Sequence, residues 1–281
     1  MALLPAALLP SHSKTVFVNL RGVTPNRVCF ATVHATALRA NAGSGAALKP
    51  FKFSLPFRQG VLREFVMGTG IKLQESKYGY WSLLTEDQAN IVRAWMGAQG
   101  TRVYMKDLFD CSVALGERTT GGRETELGQL FNLAKYREDR KAATTLVQSV
   151  ATMIGDMRTL QGAECISCPP PRANKDFDLP TFLAKAVAKS VGAKFLELGC
   201  WDGEKGQMKS VAVQEKWDEL DRVGFTINSD LTRVKGSIIL LDDIYQSGTT
   251  LNFLRARLTK AGIAGVSAVS LVKAARDTDN Q

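Results

Sequence analysis

The sequence has no long apolar run and few cysteines. No stretch of its 281 residues approaches the roughly 20 apolar residues of a membrane-spanning helix. Residues 1–10 are apolar, but they lack the basic start of a signal peptide and include two prolines. Five cysteines, an odd and scattered set, argue against a disulfide framework. With 45% apolar residues, ample for packed cores, the chain is expected to be a soluble cytoplasmic protein without membrane contact.

Acidic residues are absent from the first 63 positions, in which eight Lys or Arg residues occur. Five phenylalanines are interleaved with these cations. One interpretation is that residues 14–63 bind DNA or RNA, because cations hold phosphates and aromatic rings stack on bases. The other is that the phenylalanines are core residues and the cations form a solvated rim. The phenylalanines are Phe17, Phe30, Phe51, Phe53 and Phe57.

Residues 236–251, GSIILLDDIYQSGTTL, carry the most specific pattern in the chain. The four aliphatic residues 238–241 predict a strand buried on both faces of a parallel sheet. Asp242 and Asp243 follow where this strand is expected to leave the core, and residues 251–261 are amphipathic, as in a helix. A strand, a small hydroxyl-rich turn and a helix N-terminus in this order predict an anion site. The predicted turn consists of Gln246, Ser247, Gly248, Thr249 and Thr250.

Two carboxylates beside an anion site suit the hydroxyls of a sugar or a hydrated divalent cation. A phosphate next to a vicinal diol describes a ribose 5-phosphate. Residues 238–250 resemble the phosphoribosyl pyrophosphate (PRPP) motif of the type I phosphoribosyltransferases. That motif has four apolar residues, two acids, a short variable stretch and then Thr/Ser-Gly-x-Thr, and this chain matches it nearly position for position.

Further segments resemble the ComF-type members of this family, over about residues 126–276. Residues 130–146 are similar to the helix that opens the ComF transferase domain, including its Lys-Tyr pair. Residues 165–172, CISCPPPR, look like the family's first strand and its proline-rich exit loop. Residues 205–210 fall in the place of the family's mobile catalytic loop.

The resemblance implies an α/β fold of the type I phosphoribosyltransferase kind in residues 121–281, a Rossmann-like parallel sheet flanked by helices. Residues 1–120 are expected to form a basic α+β domain of unknown type, which binds nucleic acid or a protein partner. Within it, residues 15–20 alternate like a strand, and Thr85 is a good helix cap. A linker is expected at residues 115–123, which are rich in Gly and Thr.

In such a site the resemblance assigns the two aspartates to the ribose hydroxyls and the turn to the 5-phosphate. The pyrophosphate is expected beside Arg172 and Lys175, with Mg²⁺ as the cofactor that accompanies PRPP. No protein-bound metal is expected. Cys165 and Cys168 have no second cysteine pair at zinc-ribbon spacing, and the four-cysteine ribbon common in ComF relatives is missing.

The chain departs from the family at two places. Asp176 and Asp178 stand where the family has basic and amide residues, and the added negative charge is expected to weaken pyrophosphate binding. In the mobile loop only Gln207 is clearly kept, with Lys209 as the residue expected to reach in for catalysis. PRPP binding is therefore better supported than phosphoribosyl transfer.

Three classes of function remain open at this point. The first is an enzyme that transfers phosphoribose to a base, a nucleotide or a nucleic acid. The second is a binding module in which PRPP or a nucleotide regulates the handling of nucleic acid. The third is a protein-interaction subunit with a phosphoribosyltransferase fold. ComF relatives are linked to DNA uptake, and similar domains accompany prokaryotic defence systems, so the resemblance implies nucleic-acid partners.

Overall fold

The computed structural model describes residues 10–31, 37–43, 45–171, 177–204 and 213–275. The helices in this part of the chain are α1 (Pro10–Gly22), α2 (Val61–Thr69), α3 (Glu86–Gln99), α4 (Glu126–Tyr136), α5 (Arg140–Asp156), α6 (Leu179–Val191), α7 (Val213–Val223) and α8 (Thr249–Lys260). The strands are β1 (Arg27–Cys29), β2 (Leu38–Ala40), β3 (Phe51–Leu55), β4 (Gln74–Ser76), β5 (Gly79–Leu84), β6 (Val103–Met105), β7 (Ser112–Glu117), β8 (Thr119–Thr120), β9 (Arg123–Glu124), β10 (Cys165–Ser167), β11 (Lys194–Phe195), β12 (Gly199–Trp201), β13 (Phe225–Ile227), β14 (Ile238–Tyr245) and β15 (Val266–Lys273).

A mainly parallel sheet forms the centre of the molecule. Among the described residues it has seven strands in the order β1-β6-β7-β15-β14-β10-β11. Strands β7, β15, β14, β10 and β11 are parallel, whereas β6 is antiparallel to both β1 and β7. The aliphatic residues 238–241 are fully buried between β10 and β15, as the unbroken apolar run predicts.

Helices cover both faces of this sheet. Helices α4, α5 and α6 share one apolar cluster with the sheet, and α8 shares the other with α1 and α7. Each helix presents an apolar stripe that would otherwise face water, so the two clusters supply most of the burial that stabilises the fold. The predicted α/β fold, a parallel-rich sheet flanked by helices, is confirmed.

The central sheet includes strands from both sides of the boundary predicted at residue 120. Strand β7 pairs in parallel with β15, with Ser112 opposite Ala268 and Glu117 opposite Lys273. Residues 115–123 are therefore not a linker, as the sequence suggested, because they complete β7 and form the β8–β9 hairpin. The division into residues 1–120 and 121–281 stays a prediction, although the sheet continues across it.

Residues 15–20 are part of helix α1, not the predicted strand. The alternation of side chains over six positions suits either structure, and packing decides between them. Phe17 is fully buried, and its ring centroid lies 5.7 Å from that of Trp217 on α7. Lys14 forms an ion pair with Asp218, 2.5 Å apart, on the same helix-helix contact.

A second sheet, in the order β2-β3-β5-β4, packs against α2 and α3. Helix α3 begins at the predicted cap Thr85, which forms a capping box with Gln88: each side chain accepts a hydrogen bond from the other's backbone N–H. Four of the five early phenylalanines are buried, so the core interpretation is correct for them and they cannot stack on bases. These four are Phe17, Phe30, Phe53 and Phe57.

No helix in the part of the chain that the structure describes is long and apolar enough to span a membrane.

Candidate functional site

Strand β14 carries both aspartates and leads directly into the predicted anion turn. The sequence placed Asp242 and Asp243 beyond the end of the strand, but the strand continues to Tyr245. This correction has a backbone cause, since β14 remains paired with β15 until Tyr245 lies opposite Lys273. The bend itself occupies residues 246–248, and α8 begins at Thr249, so Thr249 and Thr250 of the predicted turn are the first residues of the helix. Residues 246–250 are together called the turn below.

Gly248 allows the chain to turn sharply into α8. Its φ of 77° lies in the left-handed region, and a Cβ atom there would lie 2.2 Å from the Tyr245 ring. As the N-cap residue it has no side chain to accept the first N–H groups of the helix. Those N–H groups and the helix dipole therefore favour an anion at this end of α8.

The hydroxyls of the turn are held close together. Ser247 Oγ and Thr249 Oγ1 are 2.9 Å apart, and both residues are buried. The Thr249 N–H also points to Ser247 Oγ at 3.4 Å. The turn thus gathers hydroxyl groups and backbone N–H groups around one place.

A buried hydrogen-bond network holds the turn in place on the side of the protein core. Asn252 Nδ2 donates to the Gly248 carbonyl at 2.9 Å, and Asn252 Oδ1 accepts from the Leu108 N–H at 2.9 Å. The Tyr245 hydroxyl donates to Asp107 Oδ2 at 2.9 Å. Burial raises the pKa of Asp107, and burial together with the Asp107 charge raises the pKa of Tyr245 well above its usual value. Tyr245 therefore remains a proton donor, and the turn is anchored to the segment after β6.

Lys273 brings a buried positive charge under the same turn. Its side chain is fully buried, and Nζ donates to the Gln246 carbonyl at 3.2 Å and to the Ala274 carbonyl at 2.7 Å. A buried ammonium group is costly unless its donors are satisfied, so these bonds tie the position of residue 246 to β15. The Lys273 charge would also attract a phosphate bound at the turn.

Replacing Tyr245 with Phe is expected to lower the free energy of unfolding by about 1–3 kcal/mol, because a buried carboxylate loses a donor. The pKa of Asp107, already raised by burial, should rise further. The stability deficit should therefore be smallest at low pH, where Asp107 is protonated in both folded proteins, and should grow as the pH rises through its folded-state pKa, which lies above the ordinary value of 3.8. Urea unfolding between pH 4 and 7 measures this.

The matched control is Tyr136→Phe, since Tyr136 is 62% exposed. Its free energy of unfolding should stay within about 0.5 kcal/mol of that of the parent. If Tyr245→Phe behaves like this control at every pH, the Tyr245–Asp107 bond does not hold the turn.

Lys135 of α4 reaches the site from the opposite face of the sheet. Its Nζ lies 2.7 Å from Asp243 Oδ2, and the two side chains are 22% and 8% exposed. The Asp243 N–H donates to Asp242 Oδ1 at 2.9 Å. The carboxylate of Asp243 is therefore neutralised by a lysine, whereas that of Asp242 accepts a backbone hydrogen bond. Lys135 belongs to the Lys-Tyr pair of the helix resemblance, but no role in the site was predicted for it.

Three predicted residues lie outside the part that the structure describes. They are the expected pyrophosphate ligands Arg172 and Lys175 and the expected catalytic residue Lys209. Asp176 and Gln207 also lie outside it. The remaining seven predicted site residues, 242–243 and 246–250, are contiguous around the β14–α8 turn.

Asp178 has a structural use that the sequence did not reveal. Its carboxylate accepts hydrogen bonds from the Thr181 N–H at 3.0 Å and from Thr181 Oγ1 at 2.7 Å. It is the N-cap of α6. The helix N-terminus compensates this charge, so the predicted repulsion of a pyrophosphate by Asp178 is smaller than its sequence position suggests.

Within the described ranges, no three His, Cys, Asp or Glu side chains cluster in a way that would hold a metal ion. Asp242 and Asp243 still suit a magnesium ion that keeps most of its water and phosphate ligands, because such an ion needs only one or two carboxylates.

No protein-family model matches the chain, and no curated protein matches it. Among solved structures, adenine phosphoribosyltransferase from Leishmania tarentolae is similar at 14% identity and a TM-score of 0.33, over 58% of this chain and 91% of that one. Hypoxanthine phosphoribosyltransferase from Trypanosoma cruzi, in complex with the product IMP, is similar at 17% identity and a TM-score of 0.28, over 47% and 65%. The Staphylococcus aureus hypoxanthine enzyme gives 14% identity and a TM-score of 0.28, over 50% and 68%. Structural similarity at these TM-scores does not indicate a function for this chain. The function proposed below is based on the motif and on the geometry of the turn.

Proposed function

We propose that the chain binds PRPP, or a nucleotide that contains ribose 5-phosphate, as a ComF-like type I phosphoribosyltransferase. One observation carries the proposal. A buried parallel strand presents Asp242 and Asp243 and then enters a left-handed glycine turn at the N-terminus of α8. The order of these parts is that of the PRPP motif, and the turn is held by buried contacts from Asn252 and Lys273.

In this proposal the turn at residues 246–250 receives the 5-phosphate. The backbone N–H groups at the start of α8 and the hydroxyls of Ser247, Thr249 and Thr250 are the donors. Asp242 and Asp243 accept the ribose hydroxyls. A hydrogen bond to a charged group contributes about 1.5–3 kcal/mol, so both the carboxylates and the turn should contribute measurably to PRPP affinity.

The pyrophosphate end of PRPP is proposed to contact Arg172 and Lys175, with Lys209 closing over it. Magnesium, when bound with PRPP, would neutralise charge on the pyrophosphate, and Asp242 and Asp243 are the residues that would orient its water ligands. The chain's own part is to grip both ends of the substrate and to exclude water from the reacting carbon.

The proposed reaction is displacement of pyrophosphate from the anomeric carbon. The C–O bond to pyrophosphate breaks with its electron pair, and a C–N bond forms to a base, a nucleotide or a nucleic acid. The setting suggested by the ComF resemblance is DNA uptake or prokaryotic defence, in the cytoplasm.

A non-catalytic regulatory or protein-interaction role is the alternative. The ion pair between Lys135 and Asp243 favours this alternative, because it occupies a carboxylate that would otherwise accept a ribose hydroxyl. The incomplete match of the predicted catalytic loop favours it as well.

Release of pyrophosphate distinguishes the two. The full chain is incubated with PRPP and Mg²⁺ and with a panel of bases, nucleotides and oligonucleotides. An enzyme releases pyrophosphate with at least one acceptor, and Lys209→Ala lowers its turnover more than its PRPP affinity, since a closing loop acts on the transition state. Saturable PRPP binding without release identifies a binding module. An absence of both overturns the proposal.

A further inference from the structure

A large, partly open cleft lies between the second sheet and the edge of the central sheet. Its volume is about 1200 Å³. Arg39, Lys52 and Trp81 line it from the second sheet, and Arg27 and Glu117 line it from the central sheet. Residues 242–250 are not part of its lining, so the cleft is separate from the proposed PRPP turn.

The strand register explains why cations face this cleft. Strands alternate their side chains between two faces, and residues directly opposite each other share a face. Phe53 is buried in the core, whereas Lys52 and Ser54, its neighbours along β3, line the cleft. Arg39 lies directly opposite Lys52, and Trp81 lies directly opposite Ser54, so both belong to the cleft face.

This arrangement favours an anionic ligand. Arg39 and Lys52 are like charges at directly opposed positions, a pairing that destabilises a sheet unless an anion relieves it. The acidic residue among the described lining is Glu117, which lies 3.7 Å from Arg27. The Glu117 carboxylate is therefore paired with Arg27, on the wall opposite Arg39 and Lys52. The positive charges of Arg39 and Lys52 can then attract a phosphate.

Aromatic rings next to these cations suit a nucleobase. The Lys52 ammonium lies 4.7 Å from the centre of the Trp81 ring. Tyr78, at the tip of the β4–β5 hairpin, also lines the cleft and is 81% exposed, an unusual degree for a large ring. Stacking on aromatic faces does not depend on base identity, and cations between the rings follow the phosphates.

We infer that this cleft binds single-stranded nucleic acid. Its volume exceeds the roughly 300–1000 Å³ of small-molecule pockets, which favours several linked nucleotides over one. A duplex would keep its bases stacked on one another and away from Trp81 and Tyr78. The basic segment of residues 14–63 thus contributes Arg39 and Lys52 to nucleic-acid binding. Trp81 and Tyr78 stack on the bases, which the buried phenylalanines cannot do.

One wall of the cleft lies near the proposed PRPP turn. Glu117 lies opposite Lys273, and Lys273 lies opposite Tyr245, on three neighbouring parallel strands. Glu117, in the wall of the cleft, is thus two strand spacings, or roughly 10 Å, from the end of β14. A bound strand would end near the turn, which makes nucleic acid the acceptor class. This acceptor role rests on the proposed function, whereas binding in the cleft can be measured alone.

The test is fluorescence anisotropy of a labelled 12-nucleotide DNA with the full chain, at several salt concentrations. Arg39→Gln with Lys52→Gln should lower affinity at least tenfold at 0.1 M salt. The slope of log affinity against log salt should shrink by about 1.4, because each lost phosphate contact on a single strand contributes about 0.7. Trp81→Leu should lower affinity about tenfold through lost stacking.

The matched control removes the same charge elsewhere. Arg63 and Lys72 are exposed and do not line the cleft, so Arg63→Gln with Lys72→Gln should change affinity less than threefold. The Arg39/Lys52 variant should fold at least as stably as the parent, because it removes a like-charge pair. Thermal unfolding of every variant checks this.

Each other outcome overturns the inference. An equal loss of DNA affinity in the two double variants means that binding depends only on the net charge of the protein. Equal affinity for a nucleoside monophosphate means that the cleft is a mononucleotide site, and equal affinity for a duplex means that base stacking is not used. A parallel PRPP titration separates the two proposals: strand binding without PRPP binding refutes the PRPP site alone, and PRPP binding without strand binding refutes the cleft alone.

Discussion

Gly248→Ala is expected to lower the free energy of unfolding by about 2–5 kcal/mol. The left-handed backbone costs a non-glycine residue roughly 1–2 kcal/mol, and forcing an extra carbon into a packed site adds about 1–3 kcal/mol. Both terms apply because φ is 77° and the new Cβ would lie 2.2 Å from the Tyr245 ring. The Tyr245 ring cannot retreat easily, since it is fully buried and bonded to Asp107. Urea unfolding measures the loss, and PRPP binding should weaken with it.

Gly97→Ala is the matched control for this variant. Gly97 lies in helix α3, and a Cβ atom added there would meet nothing within 4 Å. Alanine is the better helix former by about 0.5–1 kcal/mol, so this control should be slightly stabilised. Equal stabilities of the two variants would show that the turn at Gly248 is not constrained as described.

Asp242→Asn with Asp243→Asn should reduce affinity for PRPP at least tenfold and leave the fold intact. Each carboxylate is expected to accept a ribose hydroxyl in a charge-assisted bond worth about 1.5–3 kcal/mol, and an amide accepts a weaker one. The change also frees Lys135 from its ion pair, but that lysine is 22% exposed and borders solvent. Calorimetric titration gives the affinity, and circular dichroism checks the fold.

Glu86→Gln with Asp87→Gln is the control for the loss of two negative charges. Both residues are exposed and lie in the first turn of α3, on an element that does not contribute to the turn. Their removal should change PRPP affinity less than twofold. Equal PRPP affinity in the Asp242/Asp243 variant and the parent would mean that the carboxylates do not face the ribose.

The strand and helix of the candidate site were predictable because their signals are local. A strand buried on both faces needs an unbroken aliphatic run, which residues 238–241 supply, and a glycine followed by two threonines is suited to the start of a helix. The alternation in residues 15–20 is also local, but six positions fit a helix as well as a strand. Burial of Phe17 against α7 decided that case, and it depends on residues two hundred positions away.

The residues that support the site were not predictable, because their contacts also depend on residues that are distant in the sequence. Lys273 ends an apolar strand, and Lys135 sits in a charged helix, where a lysine ordinarily faces water. Only the order of the strands brings Lys273 beneath Gln246, and only the packing of α4 brings Lys135 to Asp243. The cleft shows the opposite error. The run of cations in residues 14–63 is visible in the sequence, but four of the phenylalanines interleaved with it belong to the core.

Calorimetric titration of the full chain with PRPP and Mg²⁺, followed by ribose 5-phosphate and by ribose alone, tests the central claim most directly. A site made of the turn at residues 246–250 and the aspartate pair should bind PRPP at one site per chain and ribose 5-phosphate more weakly. It should not bind ribose, because the turn contributes only through the phosphate. No heat with PRPP at millimolar concentration, or equal binding of ribose and ribose 5-phosphate, would contradict the claim that this turn is a phosphoribosyl site.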